Sequence, residues 1–197
     1  MNIVDRVKNI LLNPKQEWEV IEKESTPTEK LVTGYLLLLA IIPAIGNFIG
    51  YGLVGYRVAF FGGVVRSFEM GLRQAVAGFI TPVISVFVAA LVINLLAESF
   101  GSKKDFRRAM QLVVYSYTPA MVVGVFYIIP SLGILASLLS LYGLYLLYIG
   151  LKPMMQTPAD KVTGYFIVSL LVMIVVSIVV GAILSVIFIG RSAMMAL

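Results

Sequence analysis

The stretch from Ala109 to Leu151, AMQLVVYSYTPAMVVGVFYIIPSLGILASLLSLYGLYLLYIGL, decides the fold of this chain. It contains no acidic or basic side chain, and it is about twice as long as the roughly 20 apolar residues that one membrane-spanning helix needs. Pro130-Ser131-Leu132-Gly133 lies at its middle, where proline and glycine indicate a tight reversal of the chain. We therefore expect a helical hairpin that crosses a membrane twice, over about 111–129 and 132–151.

Three further apolar runs extend this pattern to five spans, at about 31–53, 74–97 and 162–189. The chain is 60% hydrophobic and 13% charged, with a mean hydropathy of +0.99, whereas soluble domains carry about 25% charged residues. These observations predict an all-α integral membrane protein. Its five transmembrane helices form one membrane domain over 31–197, preceded by an amphipathic, interfacial helical segment in residues 1–30.

Basic residues are divided unequally between the two ends of the predicted spans. Five spans place eleven lysines and arginines on the side of the N-terminus and four on the other side. By the positive-inside rule, we expect a cytoplasmic N-terminus and a C-terminus outside, in a prokaryotic cytoplasmic (inner) membrane. This anchoring also accounts for the net charge of +5, so no nucleic-acid partner is expected.

The N-terminal segment has the pattern of an amphipathic helix that is restarted once. Apolar residues from Ile3 to Leu11 recur at helical spacing, and Asn13-Pro14 is typical of a second helix start. Trp18, the only tryptophan, is expected in the headgroup layer, with Ile21 on the same stretch. Trp18 and Ile21 are therefore candidates for interfacial anchoring or for docking a partner protein, and the sequence leaves both open.

Helix starts and one loop carry local signals. Thr26-Pro27 and Thr157-Pro158 begin two similar segments that predict capped starts of the first and fifth spans, and Ser102 with Asp105 predicts another capping box. The loop 54–73 contains Phe60-Phe61-Gly62-Gly63, too apolar for a solvated loop. A short surface helix that leads into the second span and a re-entrant segment are both compatible with it.

The candidate functional site is a polar zone inside the membrane. Asn94 and Glu98 lie near the end of the second span, and hydroxyl groups of the third and fourth spans are expected to face one another. The full set of candidates is Asn94, Glu98, Tyr115, Tyr117, Thr118, Tyr142 and Tyr145. These side chains would line a cavity for a ligand or lipid headgroup, or form hydrogen bonds that fix helix packing.

Enzymatic chemistry is not expected from this sequence. The chain has no histidine and no cysteine, and the spans carry no acid–base pair, metal cluster or nucleotide loop. We therefore expect no catalytic residue, no cofactor and no bound metal. The expected partners are the lipid bilayer, other membrane or cytosolic proteins, and a second copy of the chain.

Several motifs together resemble the Yip family of membrane proteins, named for interaction with Rab-type GTPases. The residues that carry the resemblance are Asn13-Pro14 with Trp18 and Ile21, Phe106 and Ala109, Tyr115-Ser116-Tyr117-Thr118-Pro119, Pro130, Leu141-Tyr142-Gly143-Leu144-Tyr145, Gly150-Leu151, Thr157-Pro158-Ala159-Asp160-Lys161 and Gly164-Tyr165. The chain is similar to the prokaryotic branch, and the resemblance implies five spans with a cytoplasmic N-terminus.

The resemblance and the residues together favour one hypothesis over a second. The first is a membrane scaffold or adaptor that binds partner proteins or organises lipid. The alternative is a small transporter, channel or lipid-translocating protein that uses the tyrosine-lined zone between the third and fourth spans. Eukaryotic relatives have a long cytosolic N-terminal region, whereas only about thirty residues precede the first predicted span here.

Overall fold

The computed structural model describes residues 2–57 and 63–194, and nearly all of them are helical. We number the helices in chain order as α1 Ile3–Leu12, α2 Pro14–Lys23, α3 Thr28–Val54, α4 Phe68–Leu96, α5 Phe106–Ser116, α6 Thr118–Ile128, α7 Pro130–Met155 and α8 Val162–Met194. Helices α3, α4, α7 and α8 are each long and apolar enough to cross a membrane. Helices α5 and α6 form a fifth span, bent by 41°.

The bend in the third span lies where the sequence has Thr118-Pro119. Proline has no backbone N–H and its ring crowds the preceding turn, so a helix bends where proline occurs. Tyr117 ends α5, and Pro119 occupies the first turn of α6. After α6 the chain reverses at the extended residue Ile129 and at Pro130, as the sequence predicts. Helix α7 then packs back along α5 and α6.

Helix α3 packs closely against both α4 and α6 because glycine occupies the contact points. A Cβ atom on Gly71 of α4 would lie 2.6 Å from the Cα of Gly52 in α3. A Cβ atom on Gly124 of α6 would lie 2.7 Å from the Cα of Pro43. Small residues let helix backbones approach within a membrane, where van der Waals contact drives helix association.

One end of the bundle, which we call the basic end, consists of residues 2–27, 97–105 and 156–161. The backbone N–H of Lys103 donates a 2.9 Å hydrogen bond to the carbonyl of Met155, and the buried hydroxyls of Ser102 and Thr157 are 2.9 Å apart. Arg107, at the start of α5, donates to Ser25 at 2.9 Å. The three segments that were expected to share one side of the membrane therefore meet at the same end of the bundle.

The capping predictions were wrong in detail. Asp105, rather than Ser102, caps α5, and its carboxylate accepts hydrogen bonds from the backbone N–H groups of Arg107 and Arg108 at 3.0 and 3.2 Å. Thr157 lies five residues before α8 and donates to the carbonyl of Leu151 instead. The hydroxyls thus join two loops, which a local sequence pattern does not reveal.

The described part of the loop between α3 and α4 contains a short ribbon that neither expectation included. Tyr56–Arg57 (β1) pairs antiparallel with Val64–Val65 (β2) in a short two-stranded ribbon. The expected surface helix begins at Phe68, after the N-cap Ser67, and is continuous with the second span. The expectation of an apolar or re-entrant loop rested partly on Phe60, Phe61 and Gly62. These three residues lie outside the described part of the chain.

Candidate functional site

A buried ionic group holds the N-terminal helices against the bundle. Arg6 is 5% exposed and Glu17 is 4% exposed, and the Arg6 Nη1 donates to Glu17 Oε1 at 2.6 Å. Nη2 of the same guanidinium donates to the carboxylate of half-buried Glu24 at 2.5 Å. We call these three residues the arginine cluster. Such charges are stable in a protein interior only when they are paired and hydrogen-bonded, as they are here.

The faces of α1 and α2 explain why these charges are buried. Helix α1 buries Arg6 and Ile10, which are one turn apart, and helix α2 buries Glu17, Trp18 and Ile21. Residues three and four apart lie on the same side of a helix. The inner face of each helix therefore mixes apolar side chains with one charge, and the opposite charges meet when the helices pack.

Tyr115 extends the arginine cluster into the third span. The Arg6 Cζ lies 5.3 Å from the centre of the Tyr115 ring, in the geometry of a cation–π contact. The edge of Tyr35 meets Tyr115 at 5.0 Å, and the Tyr35 hydroxyl lies 2.8 Å from the hydroxyl of buried Thr118. An ionic group, two aromatic rings and a buried hydroxyl pair thus form a continuous network from α1 through α3 to α6.

Trp18 fills a space that a glycine leaves open. A Cβ atom on Gly150 of α7 would lie 2.8 Å from ring carbons of Trp18 and 2.6 Å from Leu112 of α5. Trp18 is 1% exposed and Ile21 is fully buried. Trp18 is therefore buried among α2, α5 and α7, a contact that the expected position in the headgroup layer did not include. Trp18 and Ile21 hold α2 against the protein instead of presenting a surface for docking.

Arg108 fixes the end of α2 from the side of α5. Its Nη1 donates to the carbonyls of Ile21 and Glu24 at 3.4 and 3.2 Å, and to the side chain of Gln111 at 3.4 Å. A cation near the carbonyls that end a helix is favourable, because these groups carry partial negative charge. Arg108 therefore holds the end of α2 in addition to the arginine cluster and the buried Trp18 and Ile21.

The structure does not bring the predicted polar residues together in one site. Tyr115 and Thr118 belong to the network around Arg6. The Tyr142 hydroxyl donates to the carbonyl of Leu11 in α1 at 3.1 Å, and Tyr145 is 42% exposed with its ring 5.5 Å from that of Tyr142. The Tyr142 hydroxyl thus turns to α1 rather than to the hydroxyls of the third span, although Gly143 beside it approaches the Ser116 carbonyl closely.

Asn94, Glu98 and Tyr117 lie in three other environments. Glu98 is exposed and its carboxylate is 3.4 Å from Lys104, so it forms a surface ion pair at the basic end. The buried Oδ1 of half-buried Asn94 has no hydrogen-bond partner among the described residues. Tyr117 lines a separate cavity of about 460 Å³ among α4, α5, α7 and α8.

This cavity, which we call the apolar cavity, has a lining of aliphatic side chains with a few hydroxyls. Leu144 and Leu147 of α7 face Leu170 and Met173 of α8 across it. The buried Ser116 hydroxyl, which belongs to the lining, has no hydrogen-bond partner in the described part of the chain. The cavity suits a hydrocarbon chain rather than an ion or a sugar, because burying a polar solute without hydrogen bonds is costly.

Sequence reasoning missed the arginine cluster, although the sequence contains a signal for it. Glu17, Ile21 and Glu24 occur at i, i+4 and i+7, so the sequence places one carboxylate on the apolar face of α2 and a second in line with it just after the helix. Charges on the apolar face of an amphipathic helix predict a buried partner of opposite charge.

No group of three or more acidic, histidine or cysteine side chains within 2–57 and 63–194 is placed to hold a metal ion.

Comparison with known proteins gives a family and two named relatives. The Yip1 domain model matches residues 8–189. "Inner membrane protein YohC" of Escherichia coli K12 is 25% identical over 161 residues, which cover 80% of this chain and 83% of that protein. The protein of the same name from E. coli O6:H1 matches with the same figures. No solved structure matches the chain significantly.

Proposed function

We propose, because this chain belongs to the Yip1 domain family, that it is a non-catalytic membrane scaffold that binds partner proteins through its docked N-terminal helices. It is an integral membrane protein, and its E. coli relatives are named as inner membrane proteins. In the proposed orientation the basic end faces the cytoplasm of a prokaryotic cell, because eleven of the fifteen lysines and arginines lie in its three segments or within four residues of them.

The arginine cluster is the observation that carries this proposal. An anchor that only rests on lipid needs an apolar face and a basic flank. Here α1 and α2 instead bury an arginine and a glutamate against each other, and insert Trp18 beside Gly150. Because a buried ion pair contributes little net stability, its best-supported role is to fix one arrangement over others. We infer that the position of α1 relative to the bundle matters for function.

The outer face of α1 is the surface that we expect a partner to contact. Val4 and Leu12 are 65% and 67% exposed, and exposed Lys8 lies between them. These residues occur at i, i+4 and i+8, so they form one stripe. An apolar stripe with a central charge suits an amphipathic helix of a cytosolic or membrane protein that carries an acidic residue on its contacting face.

Photo-crosslinking in intact cells tests the scaffold role. Benzoylphenylalanine is placed at Leu12 in one variant and at Leu138 of α7 in a matched control, since both positions are strongly exposed. We expect protein adducts of discrete mass from Leu12 and only lipid adducts from Leu138. The adducts from Leu12 should weaken when Lys8→Glu reverses the charge at the centre of the stripe. Lipid adducts alone at both positions would contradict the proposal.

A second candidate function is the movement or storage of lipid chains in the apolar cavity. The aliphatic lining of the apolar cavity favours this version of the transport hypothesis over a path for ions or polar solutes. Reconstituted vesicles with a labelled phospholipid test it by the rate at which the label becomes accessible from outside. We expect Ala120→Phe, which fills the cavity, to slow that rate, whereas Ile134→Phe on an exposed lipid-facing position should not. If vesicles that contain the protein and protein-free vesicles expose the label at the same rate, this candidate function is refuted.

A further inference from the structure

A second large cavity lies at the basic end, between α2 and the junction of α7 with α8. It measures about 720 Å³, and we call it the interfacial groove. Its lining residues come from α2, from the last turns of α7 and from the junction that leads to Val162, the first residue of α8. Its lining includes Lys15, Trp18, Glu19, Glu22, Tyr148 and Lys152.

The charges in the interfacial groove are balanced and are not paired with each other. Lys15 and Lys152 supply two positive charges, and Glu19 and Glu22 supply two negative charges. The four ion pairs formed within residues 2–57 and 63–194 involve none of them. A purely anionic ligand would meet two carboxylates here, and a purely cationic ligand would meet two ammonium groups. A zwitterionic ligand is the class that such a lining favours.

The position of the groove points to a ligand with an apolar part. Ile149 and buried Val162 add apolar side chains to the lining, and both belong to helices that qualify as membrane spans. Tryptophan and tyrosine are the side chains typical of the headgroup level of a bilayer. The groove has both, as Trp18 and Tyr148. This combination of side chains is typical of the level at which a phospholipid changes from acyl chain to headgroup.

Trp18 supplies an independent sign of a missing polar partner. The residue is 1% exposed, and its indole Nε1 has no hydrogen-bond acceptor among the described residues. A buried indole N–H normally finds an acceptor. A phosphate oxygen in the groove is the kind of group that would satisfy it, because phosphate is a strong acceptor of hydrogen bonds.

We propose that the interfacial groove binds the headgroup of a zwitterionic aminophospholipid, with the phosphate held by Lys15 and Lys152 and the primary ammonium held by Glu19 and Glu22. This site is distinct from the α1 stripe and does not depend on the scaffold role. The acyl chains leave the groove along Ile149 and Val162 into the bilayer. The lipid thereby fills the space between α2 and the ends of α7 and α8.

The fluorescence of Trp18 measures this binding directly, because it is the only tryptophan in the chain. The full-length protein in dodecyl maltoside micelles is titrated with dihexanoyl-phosphatidylethanolamine, dihexanoyl-phosphatidylglycerol and glycerophosphoethanolamine. We expect a saturable change with the first compound and weaker binding of the other two. Lys152→Gln and the double change Glu19→Gln with Glu22→Gln should each weaken binding of the first about tenfold or more, since each removes charge-assisted hydrogen bonds.

Matched variants separate the groove from general surface charge. Lys23→Gln and Glu29→Gln change exposed residues at the same end that do not line the groove, and they should leave the titration unchanged. Glu19→Lys with Glu22→Lys should reverse the preference in favour of dihexanoyl-phosphatidylglycerol. Equal affinity for the two lipids in the parent chain would overturn the proposal. Equal affinity for glycerophosphoethanolamine would also overturn it, because the acyl chains would then make no contribution.

Discussion

Removing the positive charge of the arginine cluster should release the N-terminal helices from the bundle. In Arg6→Met the unbranched aliphatic stem of the side chain is kept, whereas the guanidinium and its contact with the Tyr115 ring are lost. Glu17 would remain 4% exposed but without the guanidinium that lies 2.6 Å from it. The substitution therefore removes the positive charge without removing the apolar part of the side chain.

The expected magnitude follows from the burial of the pair. Breaking a buried ion pair by removing one partner costs about 3–5 kcal/mol, because the other charge is left uncompensated. Since about 1.4 kcal/mol changes an equilibrium tenfold, the undocked population should rise roughly 140- to 3,700-fold. The side chain of Glu24 is 32% exposed, so its bond to Arg6 should contribute less than that of Glu17.

The absence of cysteine from the sequence makes undocking measurable. A single cysteine in place of fully buried Ile21 reacts with a maleimide only when α2 leaves the bundle. A cysteine in place of the neighbouring Val20, which is 44% exposed, gives the rate of an unprotected thiol in the same helix. The ratio of the two rates measures the open fraction, and its change on Arg6→Met measures the cost of breaking the pair.

A double substitution distinguishes the uncompensated charge from a general loss of packing. Arg6→Met with Glu17→Gln leaves no buried charge, so its labelling rate should fall back at least about tenfold from that of Arg6→Met alone. Labelling rates that are unchanged by Arg6→Met would refute the assigned role of the cluster. Additive effects of the two single substitutions would refute the coupling between them.

Two further predictions concern the packing beneath the N-terminal helices. Gly150→Ala places a methyl group against Trp18 and should destabilise docking of α2 by about 1–3 kcal/mol. The loss of docking should appear as a red shift of tryptophan emission. The control Gly34→Ala meets no atom within 4 Å and should leave the emission spectrum unchanged. Tyr35→Phe leaves the hydroxyl of Thr118 without its partner and should lower the unfolding midpoint in sodium dodecyl sulfate, at a cost of about 0.6–2 kcal/mol. Thr118→Val introduced into the Tyr35→Phe variant should lower the unfolding midpoint little further, because the hydrogen bond between the two hydroxyls is already absent.

The membrane class and the reversal at Pro130 were predictable because they depend on local properties of the chain. Long apolar runs predict spans, and proline with glycine predicts a reversal wherever the helices end up in space. Charge asymmetry likewise predicted that three separate segments share one end of the bundle, and the contact of Lys103 with Met155 agrees with it.

The site was less predictable because its contacts join residues that are far apart in the sequence. Tyr142 could hydrogen-bond to any neighbour that its rotamer reaches, and sequence spacing does not distinguish Leu11 of α1 from a hydroxyl of the third span. Trp18 likewise suits either a headgroup layer or a glycine-lined socket. Trp18 is placed by its contact with Gly150, and a glycine adds no apolar side chain to the sequence pattern from which such a contact could be predicted.

The hydrogen bond from Tyr142 to Leu11 joins residues 131 positions apart, and this separation has a consequence for biogenesis. At a synthesis rate of about 5–20 residues per second, α1 and α2 leave the ribosome roughly 7–26 s before the surface that receives them exists. During that interval Arg6, Glu17 and Glu24 are solvated rather than paired with the bundle. Closure of the N-terminal helices is therefore a late assembly step, and it marks a chain whose fourth span has already been inserted.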